Sequence, residues 1–303
     1  MKKLLYIILL ISLMGCTNTS KTSESTTDKE EYNVIRGINL SQEGKYLEAL
    51  REFEKAYGKN DKNIITLREM GLVYAQLSDY KKSEEFYKKA LVLDERDQTA
   101  IKNLALLSYV KGDYEKSEEY LESVSKDSID NMVLKLKGFI SFKKGENIKA
   151  YDILKRALYL ESDIDMEFYS VYSQVLLEES KFMELYKVLE SGYEKYSLDK
   201  DYILFYTRIL SVNYSEHDKA EKTLKRYMAE NGIDDELLLL LSKISFTNGD
   251  MDSAENSLKM ISDDYKYDLE YLNLKKDILD KSNKSEEAQK INILIERLTK
   301  GKS

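Results

Sequence analysis

Cys16 is the only cysteine and His217 the only histidine among 303 residues. A lone thiol cannot close an internal disulfide. A lone imidazole cannot build a multi-histidine metal site. His217 lies in YSEHDKA, a polar stretch that reads as an inter-helix turn, and its expected role is packing or turn formation. The phosphate-cradling spacing GxxxxGK[ST] does not occur, because Gly44-Lys45 is followed by Tyr46. The acidic pairs Glu84-Glu85 and Glu118-Glu119 recur at equivalent places and read as solvated helix faces rather than paired catalytic acids. The expectation is a protein that is not an enzyme, with no catalytic residue, cofactor or metal.

The surroundings of Cys16 suggest what the thiol is for. Lys2 and Lys3 precede an eleven-residue stretch, Leu4 to Met14, that is apolar apart from Ser12. A bilayer-spanning helix needs about 20 apolar residues, so this length fits the core of a secretory signal. Leu13-Met14-Gly15-Cys16 then resembles the bacterial lipobox. That resemblance implies cleavage between Gly15 and Cys16 and conversion of the Cys16 thiol to a lipid-bearing thioether, palmitate being a typical chain. Residues 1–15 are therefore expected to be a lipoprotein signal peptide. Of residues 17–29, eight are Ser or Thr and none is apolar. Such a stretch cannot offset the entropy of ordering, so residues 16–29 are expected to form a flexible tether. The location implied is outside the cytoplasm. In a diderm it would be the outer membrane facing the periplasm, Thr17 following the cysteine; in a monoderm, the outer face of the plasma membrane.

Net charge is −8, and −10 without residues 1–15, which carry two lysines and no acid. That balance argues against nucleic acid, whose phosphates demand neutralising cations, and against adsorption to anionic lipid. The membrane would be reached through the lipid anchor alone. Proline is absent from the whole chain, which favours helix throughout.

Four phrases repeat: EGKYLEALREFEKAY from Glu43, LSDYKKSEEFYKKAL from Leu77, KGDYEKSEEYLESV from Lys111 and KGENIKAYDILKRAL from Lys144. Their turn residues Gly44, Ser78, Gly112 and Gly145 are 34, 34 and 33 residues apart. Small residues upstream, Gly37, Gly71, Ala105 and Gly138, keep the same spacing. This resembles the tetratricopeptide repeat, a 34-residue pair of antiparallel helices A and B. The resemblance implies small residues at positions 8, 20 and 27 of each unit and large ones between them, because close-packed helices need small residues where backbones cross. Units are placed from Glu30, Ile64, Gln98 and Asn131. Ala220, Ala254 and Ala288, again 34 apart, place units from Asp201, Asp235 and Leu269, with one from Met166 filling the gap. Those from Met166 and Asp201 depart from the pattern, with Ser173, Leu185 and Arg208 at small positions. The expected fold is an all-α solenoid, a right-handed superhelix of about eight such pairs. It is assigned to residues 30–303, with clear repeats over 30–164 and degenerate ones plus a cap over 165–303. The cap is a helix opened by Ser285-Glu286-Glu287, with Ala288, Ile291, Leu294, Ile295 and Leu298 on one face.

In this family, helix A positions 2, 5, 9 and 12 line a groove that holds extended or helical peptides. Carried onto this sequence, position 5 falls on Arg68, Lys102, Lys135 and Phe205, position 9 on Leu72, Leu106, Phe139 and Ile209, and position 12 on Tyr109, Phe142 and Phe246. The chaperone-tail clamp of the family is absent, because Leu106 rather than Asn follows Lys102 by four residues. The implied function is a cell-envelope scaffold or adaptor for protein partners or peptide segments, with no small-molecule substrate. The alternative is a membrane-tethered periplasmic holdase, or a secretion or pilus assembly factor, that binds extended client segments.

Overall fold

The computed structural model describes residues 26–160 and 164–300. Residues 1–25, which hold the expected signal peptide, Gly15, Cys16 and most of the expected tether, lie outside the described residues. Sixteen α-helices alternate with short turns among the described residues. They are α1 Thr26–Gln42, α2 Tyr46–Tyr57, α3 Ile64–Gln76, α4 Tyr80–Leu93, α5 Gln98–Val110, α6 Tyr114–Glu122, α7 Asn131–Lys143, α8 Asn147–Leu160, α9 Met166–Glu178, α10 Phe182–Tyr196, α11 Lys200–Tyr214, α12 His217–Asn231, α13 Asp235–Asn248, α14 Met251–Met260, α15 Leu269–Lys281 and α16 Ser285–Lys300. The odd-numbered helices are helix A of each pair and the even-numbered ones helix B. The first helix begins at Thr26, so residues 26–29, assigned to the tether, are helical. None of the described helices is long and apolar enough to cross a membrane.

Two compact units divide the chain, one ending at Lys181 and one beginning at Phe182. In each unit the pairs close in the same way. A left-handed residue ends helix A, supplied by Gly44, Ser78, Gly112, Gly145, Ser180, Ser215, Gly249 and Asn283. After seven of these, the next backbone N–H donates to the carbonyl five residues back, as in Asp113 to Ser108 at 2.9 Å. Such a turn satisfies carbonyls that the helix end leaves open.

Large residues of helix B sit on the small position 8 of their own helix A. A Cβ on Gly138 would lie 2.4 Å from the Leu154 side chain, and one on Gly71 would lie 2.9 Å from the Tyr87 ring. Leu154 and Tyr87 are buried. In α11 and α13 hydroxyl residues keep the small position: Thr207 and Ser242 are fully buried, and Ser242 Oγ donates to the Ala254 carbonyl at 2.9 Å. A small hydroxyl that bonds a carbonyl satisfies itself without forcing the helices apart.

The unit placed from Asp201 needs a correction of one residue along helix A. Asp199, not Lys200, caps α11, accepting from the Tyr202 N–H. Counted from this cap, position 8 is the buried Thr207, and Arg208 is exposed. The extra residue is absorbed at the far end. After Ser215 the closing bond runs from the Glu216 N–H to the Leu210 carbonyl, six residues back, at 3.0 Å.

In α16 only Ala288 is buried. Ile291, Leu294, Ile295 and Leu298 are half-buried, so the terminal helix covers its neighbour with part of its apolar face.

Candidate partner-binding faces

Each helix A after the first is opened by a polar cap: Asn63, Asp97, Asp130, Asp165, Asp199, Asp234 and Asp268. Each side chain accepts backbone N–H groups of the first turn, as in Asp97 from Ala100 at 2.7 Å. A carboxylate there satisfies an open donor and opposes the positive end of the helix dipole. From Asp97 on, the caps recur every 33 to 35 residues. This second periodicity was available in the sequence and marks helix starts more sharply than the apolar pattern does.

The caps place the three position-5 cations of the first unit. Arg68 meets Asp97 at 3.2 Å, Lys102 meets Asp130 at 2.6 Å, and Lys135 pairs with Asp165. Each cation reaches from one helix A to the cap of the next. Arg68 also donates to the Thr99 hydroxyl. These side chains, expected to offer charge to a partner, are engaged by their own chain. In the second unit Lys200, the first residue of α11, makes the corresponding tie to Asp234 at 2.5 Å and to Glu236 at 3.0 Å. Its carboxylate partners push its pKa up.

The apolar candidates divide. Phe139 is 3% exposed, its ring 6.3 Å from Tyr109 and 6.4 Å from Phe168. It is a core residue and not a contact surface. Leu72, Tyr109 and Phe142 are half-buried. Together with Leu106, also half-buried, they form the partly open row of the first unit at positions 9 and 12. In the second unit the corrected register moves Phe205 to position 6 and Ile209 to position 10. Ile209 is 6% exposed, as expected of a position filled elsewhere by the buried Val73, Leu107, Ile140, Val175 and Ile244. Position 9 there belongs to Arg208 and Lys243.

A different ladder runs along helices B. Glu84 accepts Lys88 at 2.7 Å, Lys111 at 2.8 Å and Lys116 at 3.3 Å. The latter two lysines come from the next pair. Their hydrogen bonds hold the Glu84 carboxyl down, at about 2. Glu118 takes Lys144 at 2.7 Å and Glu255 takes Lys284 at 2.8 Å in the same way. Tyr151 and Tyr186 fill that position in two of the three intervening pairs. They receive Lys181 over the ring at 5.3 Å and Lys219 on the hydroxyl at 2.8 Å. Glu84 and Glu118, read as solvated faces, therefore tie neighbouring pairs together, whereas Glu85 meets only Lys89 of its own helix.

His217 opens α12, and its Nδ1 lies 2.8 Å from the buried Ser211 Oγ. The pair clips the start of helix B to the end of helix A. It borders a cleft of about 360 Å³ between α11, the His217 turn and α13.

No protein-family model matches the chain, and no curated protein matches it. Solved structures do. A tetratricopeptide repeat protein from Parabacteroides merdae ATCC 43184 has a TM-score of 0.55 at 14% identity, over 77% of this chain and 91% of its own. The APC/C hetero-tetramer Cut9-Hcn1 has a TM-score of 0.59 at 16% identity over 72% of this chain, which spans only 43% of that longer one. Pseudomonas aeruginosa PilF covers 83% of this chain and 98% of its own at 17% identity, with a TM-score of 0.49, too loose a likeness to bear on function. What the likenesses establish is the fold, an all-α solenoid of the kind that tetratricopeptide-repeat proteins build.

Proposed function

We propose that this chain is a tetratricopeptide-repeat scaffold, exported and anchored through an acylated Cys16, that holds protein partners by one helix face per repeat and performs no chemistry on them. The observation that carries the binding role is the partly open row Leu72, Leu106, Tyr109 and Phe142 on consecutive helices A. A rigid scaffold that leaves aromatic and aliphatic side chains incompletely covered offers anchors to an apolar peptide segment. The anchor itself rests on Leu13-Met14-Gly15-Cys16 behind a basic and apolar leader.

Two measurements test the two halves. Cells fed an alkyne fatty acid should label the wild-type chain and not Cys16→Ser; equal labelling of both would end the anchor. A photo-crosslinking residue at Tyr109 or Phe142 should capture one or two envelope proteins, whereas capture of a broad range of exported proteins would favour the holdase. If a site on α4 captured the same proteins while Tyr109 and Phe142 captured none, the row would not be the binding face.

A further inference from the structure

Helix A cations at positions 5 and 9 follow a rule with one exception. Arg68, Lys102 and Lys135 each hold the cap of the next helix A. Lys243, at position 9 of α13, holds Glu270 at position 2 of α15, at 2.8 Å. By the same geometry Arg208, at position 9 of α11, would hold Glu236 at position 2 of α13. Glu236 is already taken by Lys200, as is Asp234. Arg208 makes no ion pair or hydrogen bond among the described residues and is exposed. In a chain with net charge −8 this guanidinium is an unengaged cation with a structural reason for being so.

Arg208 does not project into empty solvent. It lines the cleft of about 360 Å³ together with Lys243, His217, Val212, Leu240 and Ile244. Leu240 and Ile244 form an apolar wall that is buried, and Val212 a rim that is 72% exposed. The His217 ring is fixed from one side by Ser211 and makes no other hydrogen bond among the described residues. The acids near the cleft, Glu270 and Glu236, are each occupied by a lysine. The cleft thus combines a planar fork of donors, a second cation, an imidazole edge and an apolar wall.

The geometry points to a subsite for an acidic side chain followed by a branched apolar residue in a partner's peptide segment. Arg208 would take the carboxylate in its two-pronged geometry, His217 and Lys243 would flank it, and Val212, Leu240 and Ile244 would receive the apolar neighbour. The inference rests on the scaffold reading and gives it a second contact point with a stated chemistry.

The lone histidine makes the test direct, since an untagged, histidine-labelled full chain gives a single imidazole signal. Titration with acetyl-Glu-Leu-amide should move that signal to saturation. Acetyl-Gln-Leu-amide should bind about tenfold more weakly, because the charge-assisted pair is lost. Arg208→Gln, at an exposed site, should abolish the response with helix content unchanged, and Arg208→Lys should recover part of it. Lys200→Gln should also weaken it from outside the cleft, because Glu236 becomes free to take Arg208. An unmoved signal, equal binding of the Gln probe, indifference to Arg208→Gln, or an equal response to inorganic phosphate would each overturn the assignment. Should the wild-type chain fail to respond to the probe while Tyr109 still captures its partners, the scaffold stands and this subsite does not.

Discussion

In the first unit three successive helix A cations, Arg68, Lys102 and Lys135, are each fastened to the aspartate capping the next helix A. In the second, Lys200 makes the corresponding tie from a different position, and Arg208 is left unengaged. The two regions share a fold and differ by one residue of register in α11. The comparison teaches that regular repeats use their charges on themselves. Where one lysine takes both acids at the start of the next helix A, as Lys200 takes Asp234 and Glu236, another cation is released for something else.

The largest effect should come from testing that register. Thr207→Leu would force a larger branched side chain into a fully buried site. Overpacking of this kind costs about 1–3 kcal/mol. Arg208→Leu, one residue on and exposed, should stay within about 0.5 kcal/mol. Urea unfolding of the two variants settles which residue fills position 8. The reverse order of effects would restore the register read from Ala220 alone.

The starts of α3, α5 and α7, and the turns and small position of the first four pairs, were legible because each follows from a local demand. A capping carboxylate, a left-handed residue and a close helix crossing restrict the residue type on the spot. Arg208 was misplaced because register was carried back from Ala220 across the Ser215 turn, where a wider closing bond hides the added residue. Phe139 was read as a contact because the family's groove position 9 falls on it; the packing of Tyr109 and Phe168 around it closes that site. The inter-pair role of Glu84 needs Lys111 and Lys116, from the next pair, brought alongside, and the sequence pattern does not say which face of helix B looks that way.

The cap ties come next in size. Asp165→Ala removes both the acceptor for the Phe168 N–H at 2.8 Å and the partner of Lys135, whose side chain is mostly buried. Loss of an N-cap alone costs about 1 kcal/mol, so the sum should reach about 2 kcal/mol. Asp268→Ala, an exposed cap, should cost about half as much. Thermal unfolding of the pair checks whether the tie adds to the cap. Equal losses would mean that the ion pairs of the first unit hold nothing.

The turns allow an exchange between two pairs of the first unit. Gly112 and Ser180 have φ of 80° and 54°, a conformation that costs residues with a Cβ about 1 kcal/mol. Ser180→Gly should therefore stabilise by several tenths of a kcal/mol, after the greater entropy of the unfolded glycine is subtracted. Gly112→Ser should destabilise by a similar amount, in urea midpoints of opposite sign. If both lose stability, the Ser180 side chain makes a contribution beyond its backbone.

The smallest effect concerns the helix B ladder and shows itself only in acid. Glu84 has lysines from its own helix and from the next pair, and its folded pKa lies at about 2, against about 4.3 for an unfolded glutamate. A depressed carboxylate contributes stability that is complete above the unfolded value and is lost as pH falls through the folded one. Glu84→Gln should therefore flatten the loss of stability between about pH 4.5 and pH 2, leaving a deficit at neutral pH that vanishes in acid. Glu221, at the equivalent place in the second unit, meets Lys225 of its own helix at 2.5 Å. Pairs of that kind are worth about 0.3–0.5 kcal/mol, so Glu221→Gln should lower stability at pH 7 by no more than that. Urea midpoints at pH 7, 4 and 2.5 for both variants decide the matter. Superimposable curves would mean that Glu84 gains nothing from reaching the next pair, and that the neighbouring pairs are joined by packing alone.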